Sequence, residues 1–148
     1  MAEQPPGFAS SWVGMLLSAL EAEVDRDTRR RILARCSQSC TGYWAGVAAE
    51  VRGASHETSD VDALLGAFAE RLPGGADLVR DGDLIRWRFT GPSCPCPIAR
   101  LTPHPGICDC SVSHVRGMLE PLLGRALDVE LLRSRLRGAE DCLFVVRL

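Results

Sequence analysis

Between residues 10 and 72 the apolar positions recur at helical spacing. Val13, Leu17, Leu20 and Val24 step by three or four behind Ser10 or Ser11, either of which can cap a helix. Thr28 opens a second helix, along which Ile32, Cys36 and Cys40 step by four. Gly42 and Gly46 place a bend in it, and Gly53 ends it. A third helix begins at Ser59, turns Val61, Leu64, Leu65, Phe68 and Leu72 inward, and stops at Pro73-Gly74-Gly75. From residue 77 the period falls to two. Residues 77–80 and 83–90 flank Asp81-Gly82, a strong hairpin signal, and Ile85, Trp87 and Phe89 alternate with Arg86 and Arg88.

Residues 91–110 read as a Pro- and Cys-rich loop. Ser111 then caps a helix carrying Val112, Val115, Leu119 and Leu122, which Gly124 ends. Two further strands, about 127–134 and 142–148, are joined by a turn containing Gly138. The order predicts an α+β domain: N-terminal helices, then an antiparallel sheet of two β-hairpins with a helix between them. A single domain spans 1–148, with a helical part over 1–75 and the sheet, cysteine loop and helix over 76–148.

Composition narrows the chemistry. The chain of 148 residues is 46% hydrophobic and 24% charged, as in ordinary soluble domains. A net charge of −2 gives no long-range attraction to nucleic acid or anionic lipid. The arginine-rich run 26–35 is interleaved with Asp25 and Asp27, lacks stacking aromatics, and reads as a solvated helix face. There is no lysine, which excludes a Schiff-base lysine and the lysine-containing phosphate loop. No Gly-x-Ser-x-Gly elbow or His-Glu-x-x-His helix is present. The apolar run 12–20 follows Glu3 rather than a basic segment, so it predicts a core helix, neither signal peptide nor membrane span. The expected compartment is the cytoplasm, where thiols stay reduced and seven cysteines point to metal binding or redox chemistry.

Those cysteines include two Cys-x-Cys pairs, Cys94/Cys96 in C-P-C-P and Cys108/Cys110 in C-D-C, separated by eleven residues. In extended backbone, residues two apart point the same way, so each pair can present two sulfurs together. Tetrahedral zinc, with bonds of about 2.3 Å, or an iron–sulfur cluster would take the four thiolates. Cys108 and Cys110 precede the expected helix start, where unpaired N–H groups and the dipole favour anions; Arg100 and Arg116 add positive charge. Pro92, Pro95, Pro97, Pro103 and Pro105 stiffen the loop. Redox or nucleophilic thiols without metal, and a structurally idle loop, are the alternatives.

Cys36 and Cys40 face one side of a helix, either as core thiols or as extra ligands or a catalytic pair. Cys142 shares a strand face with Phe144 and Val146 and reads as core. His104 could replace a thiolate ligand, take part in catalysis with Cys36 and Cys40, or lie exposed. His114 reads as a solvated helix residue and His56 as inert linker.

Cys108-Asp-Cys-Ser, the helix ending in Leu123-Gly-Arg, the strand 128–132 and the segment 137–146 together resemble 4-vinyl reductase-type small-molecule-binding domains. They also resemble cysteine-rich relatives described as aminothiazoline-carboxylate hydrolase-like. Arg35-Cys36-x-x-x-Cys40 is similar to a Cys-Gly-Arg-x-Cys segment of those relatives, although Ser37 and Gln38 stand in place of Gly-Arg. The resemblance implies an α+β fold that pairs as a homodimer and holds a small organic ligand between helices and sheet. The expectation is therefore a metal- or cluster-binding domain for a small organic ligand. The alternatives are a metal- or cluster-dependent enzyme with Cys36, Cys40 or His104 near its reaction centre, and a thiol redox switch.

Overall fold

The computed structural model describes residues 7–55, 58–72 and 76–148. His56, Glu3 and the predicted Pro73-Gly74-Gly75 stop lie outside the described residues. Three helices come first: α1 (Phe8–Glu23), α2 (Arg26–Ala54) and α3 (Val61–Ala69). A hairpin of β1 (Ala76–Asp81) and β2 (Leu84–Phe89) follows. Next come a short helix α4 (Pro97–Leu101), a 3-10 turn η1 (Pro105–Ile107), and α5 (Cys108–Leu123). Strand β3 (Asp128–Arg133), a second 3-10 turn η2 (Arg135–Arg137) and β4 (Cys142–Arg147) complete the order.

The fold is α+β, with helices in the N-terminal half and a four-stranded antiparallel sheet after them, in the order β1-β2-β4-β3. The two predicted hairpins are present, and β2 and β4 pair to join them. Alternation does its expected work. Leu78, Trp87, Phe144 and Leu131 lie in one cross-strand row; Ile85, Val146 and Val129 lie in the next. Trp87, Ile85 and Val146 are wholly buried under the helices, while Arg86 and Arg88 on the opposite face are exposed. Removing a side chain of this size from water contributes roughly 1.5–3 kcal/mol.

Helix α2 differs from expectation at both ends and in the middle. Its cap is Asp25, whose carboxylate accepts the Thr28 N–H at 2.9 Å and the Thr28 hydroxyl at 2.6 Å. Thr28 is thus the capped residue, and such a cap is worth about 1 kcal/mol. The helix is not interrupted at Gly42 or Gly46. The helix continues to Ala54 because Leu33, Ser37, Ala48 and Val51 keep one face buried along its length. Its main partner is α5, and the approach is close: a Cβ on Gly117 would lie 2.4 Å from the Thr41 methyl.

Helix α1 starts at Phe8, ahead of the serines expected to cap it, and buries Leu17 in a small cluster with Leu33 and Ile107. Its outer side carries Phe8, Trp12, Met15 and Leu16, all exposed. No helix among the described residues is long and apolar enough to cross a membrane.

The predicted loop 91–110 is largely helical. Pro97 starts α4, Pro105 starts η1, and η1 runs directly into α5, which begins at Cys108 rather than after Ser111. Proline in a first turn gives up only an N–H that would have no partner there.

Candidate functional site

A cavity of about 320 Å³ lies between α2, α5, the inner face of the sheet and the segment leading into α4. Its apolar walls include Trp44 of α2, Met118 of α5, Trp87 and Phe89 of β2, and Phe144 of β4. The sheet register explains this wall: Trp87 pairs with Phe144, and Phe89 with Cys142, so their side chains share the helix-facing side. The Trp87 and Phe89 rings stack at 5.5 Å. Trp87 is fully buried, yet its Nε1–H has no hydrogen-bond partner among the described residues. An orphaned buried donor costs about 1–3 kcal/mol, which an acceptor brought into the cavity would recover.

Six thiols also reach this cavity: Cys40, Cys94, Cys96, Cys108, Cys110 and Cys142. They do not form the expected metal centre. Among the described residues, no group of three or more His, Cys, Asp or Glu side chains could hold a metal ion. Zinc or an iron–sulfur cluster on Cys94, Cys96, Cys108 and Cys110 is thereby overturned, and with it the metal-binding character expected of the domain. The physical reason lies in the start of α5. In an α-helix, residues two apart point roughly 200° away from each other. Cys108 accordingly turns to Ser134, Sγ to Oγ 3.2 Å, whereas Cys110 faces the Cys40 and Cys96 side. In the first pair, Cys96 occupies the cap position of α4 and Cys94 neighbours Cys142.

Nor are these thiolates. Burial pushes the Cys110 thiol up to about 12, with neighbouring Cys96 and Cys40 adding to the rise. Burial likewise raises Cys40, Cys96 and Cys108. The helix N-terminus cannot offset the loss of water around a charge. Cys142 differs. A hydrogen bond from Cys94 lowers it to about 7 despite burial, and the Arg135 N–H lies 3.5 Å from its sulfur. Cys94 is correspondingly raised, its proton engaged by Cys142.

Of the three side chains considered for catalysis, one reaches the cavity. Cys40 lines the cavity, while Cys36 is exposed and lies outside its lining. His104 is elsewhere: its Nδ1 accepts the Gly106 N–H at 3.0 Å, and its Nε2 lies 3.1 Å from the Ser18 hydroxyl. His114, expected in solvent, instead lines the cavity with Nδ1 3.0 Å from the Thr41 hydroxyl; burial lowers its pKa and keeps it neutral. Trp44, Trp87, Phe144 and Cys142 also belong to the cavity; the sequence marks Trp87, Phe144 and Cys142 only as buried strand positions and gives no signal for Trp44.

Part of the arginine run is structural. Asp109 in the first turn of α5 is buried, with Arg29 Nε at 3.2 Å and Arg137 Nη2 at 2.9 Å on its two oxygens. This clamp ties α2, α5 and η2 together. A second joins the buried Asp141 to Arg88 and Arg133, the latter with Nη2 at 2.9 Å.

No protein-family model matches this chain, and no curated protein is similar to it. Solved structures are. Trafficking protein particle complex subunit 3 from Naegleria fowleri, covalently bound to palmitic acid, matches with a TM-score of 0.53 and 16% identity over 94% of each chain. The phenol-responsive sensory domain of the transcription activator PoxR, with phenol, matches with a TM-score of 0.56 and 14% identity. That match covers 98% of this chain and 77% of the PoxR domain. At these identities the likeness is one of fold. The resemblance of the C-terminal motifs to 4-vinyl reductase-type domains finds no support in these neighbours.

Proposed function

We propose that this chain is a small-molecule-binding sensory domain whose cavity takes a compact aromatic molecule carrying a hydrogen-bond acceptor. The observation that carries the reading is the buried Nε1–H of Trp87, without a partner among the described residues, in the wall of a mainly apolar cavity. A volume of about 320 Å³ lies at the small end of ligand sites, which run from about 300 to 1,000 Å³, and suits a single ring. The phenol held by the structurally similar sensory domain has this chemistry, an apolar ring with one polar atom. Neutral His114 offers a second polar contact from α5. A cytoplasmic setting, where thiols remain reduced, suits a cavity lined by free cysteines.

The test is a phenol titration followed by tryptophan fluorescence and by amide chemical shifts. Saturable binding with shifts grouped around β2, β4 and α5 is the expected result. Trp87→Phe keeps the ring, removes the donor, and should weaken binding about five- to tenfold. Absence of saturable shifts at millimolar phenol would overturn the reading.

A further inference from the structure

The Asp109 clamp takes Arg29, but the next two arginines of the run, Arg30 and Arg31, line a second cleft of about 410 Å³. Cys108, Cys110 and His114 line the apolar cavity, whereas Asp109, Ser113 and Arg116 line this cleft. At about 3.6 residues per turn, the two sets lie on opposite sides of α5. We propose that the cleft binds a small phosphate monoester, its dianion held by Arg30, Arg31 and Arg116. The site is separate from the apolar cavity and does not depend on how that cavity is read.

Helical spacing assembles the lining. Asp27, Arg30 and Arg31 form one stripe of α2, Asp109, Ser113 and Arg116 one stripe of α5, and the two helices pack together. The acids do not neutralise the arginines. Asp109 has both oxygens taken by Arg29 and Arg137, and Asp128, at the start of β3, is paired with Arg147 at 2.9 Å. Asp27 is then the one lining carboxylate left to oppose three guanidinium groups. Three positive charges against one negative leave an excess that a dianion matches better than a single carboxylate does.

Arg116 gives a separate sign of a missing partner. Its Nε is buried and meets no acceptor among the described residues, and the side chain enters no ion pair there. A charge drawn partly out of water with nothing opposite it costs free energy that a bound anion would recover. Arg31 is held in place: its Nη2 donates to the Thr28 hydroxyl at 2.8 Å, which in turn donates to Asp25. Guanidinium groups stay charged at any working pH and grip phosphate through paired N–H donors. The cleft is larger than a bare phosphate group needs, which leaves room for a short ester tail beside the Ser113 hydroxyl. Its lining holds no aromatic ring on which a nucleic-acid base could stack.

Glycerol 3-phosphate titrated into the full chain at constant ionic strength, followed by amide chemical shifts, tests this. Saturable shifts grouped at 27–34 and 112–116 are expected, with inorganic phosphate binding more weakly. Arg116→Gln should weaken the ester about tenfold, by loss of hydrogen bonds to a charged group. Arg30→Gln should weaken it about threefold, and Asp27→Asn should tighten it about twofold by removing a like charge. Arg35→Gln removes the same charge from the same run but lies outside the lining, so affinity should hold. The urea midpoint of Arg116→Gln should hold or rise, because a partnerless charge is removed; an arginine with a purely structural role would lower it. Should Arg116→Gln fail to fold, Arg30→Gln carries the comparison with Arg35→Gln. An absence of saturable shifts at millimolar ester would overturn the proposal. So would equal affinity for inorganic phosphate, or an equal loss from Arg35→Gln, which marks diffuse attraction to the arginine run.

Discussion

In the first turn of α5, Asp109 is enclosed by Arg29 and Arg137, while the residues before and after it, Cys108 and Cys110, line the apolar cavity. The two surroundings are separated by one residue of helix and obey opposite rules. Where charge is buried, both carboxylate oxygens are paired, so the group fixes α2, α5 and η2 in place. Where thiols are buried, burial keeps their protons on, and the lining stays neutral and adaptable. Rigidity comes from the ionic side and room for a guest from the thiol side.

The sharpest way to break this contrast is Asp109→Ala. It strands two guanidinium groups and should cost about 2–4 kcal/mol of stability, read as a fall in the urea midpoint. Gly117→Ala forces the Thr41 side chain out of a 2.4 Å overlap and should cost about 1–3 kcal/mol. It also displaces the hydroxyl that meets His114, so phenol affinity should fall with stability, whereas Asp109→Ala should affect stability first.

The second clamp supplies a pH signature. Arg133 and Arg88 hold the Asp141 carboxyl well below its ordinary value of 3.8. A lowered pKa stabilises the fold above the unfolded value, and that contribution disappears as pH falls through 3.8 toward the folded value. Acid titrations of stability should therefore show a shallower acid limb for Asp141→Asn than for the unaltered chain. The smallest effect belongs to Cys36→Ser: on an exposed face outside the cavity, it should change stability by no more than about 0.5 kcal/mol and leave phenol binding intact. A larger loss would place Cys36 in the site after all.

Both hairpins were legible because their signals are local. Alternation at Ile85, Trp87 and Phe89 and the Asp81-Gly82 turn need only neighbours along one strand and its turn. The start of α5 was misread for an equally local reason: Ser111 is a far better cap than Ile107, the residue that actually precedes the helix. The signal for the earlier start is His104-Pro105. Proline opens a 3-10 turn there, which leads straight into the helix and removes the need for a later cap. Three residues of helix then turned a pair of aligned thiols into a divided one. The cavity was less legible, since Trp44, Trp87 and Cys142 come together only through the packing of α2 and the pairing of β2 with β4.

Strand β4 is the last of the four in chain order but lies between β2 and β3 in the sheet. During synthesis the β1–β2 hairpin and β3 leave the ribosome before the strand that must join them. Until β4 arrives, β2 and β3 are both open edges, able to recruit the wrong partner. The same arrival delivers Cys142 and Phe144, so the cavity wall is completed in the step that closes the sheet. A guest that fills the cavity would bind only chains that have finished folding, and so would draw the folding equilibrium toward the completed sheet by mass action.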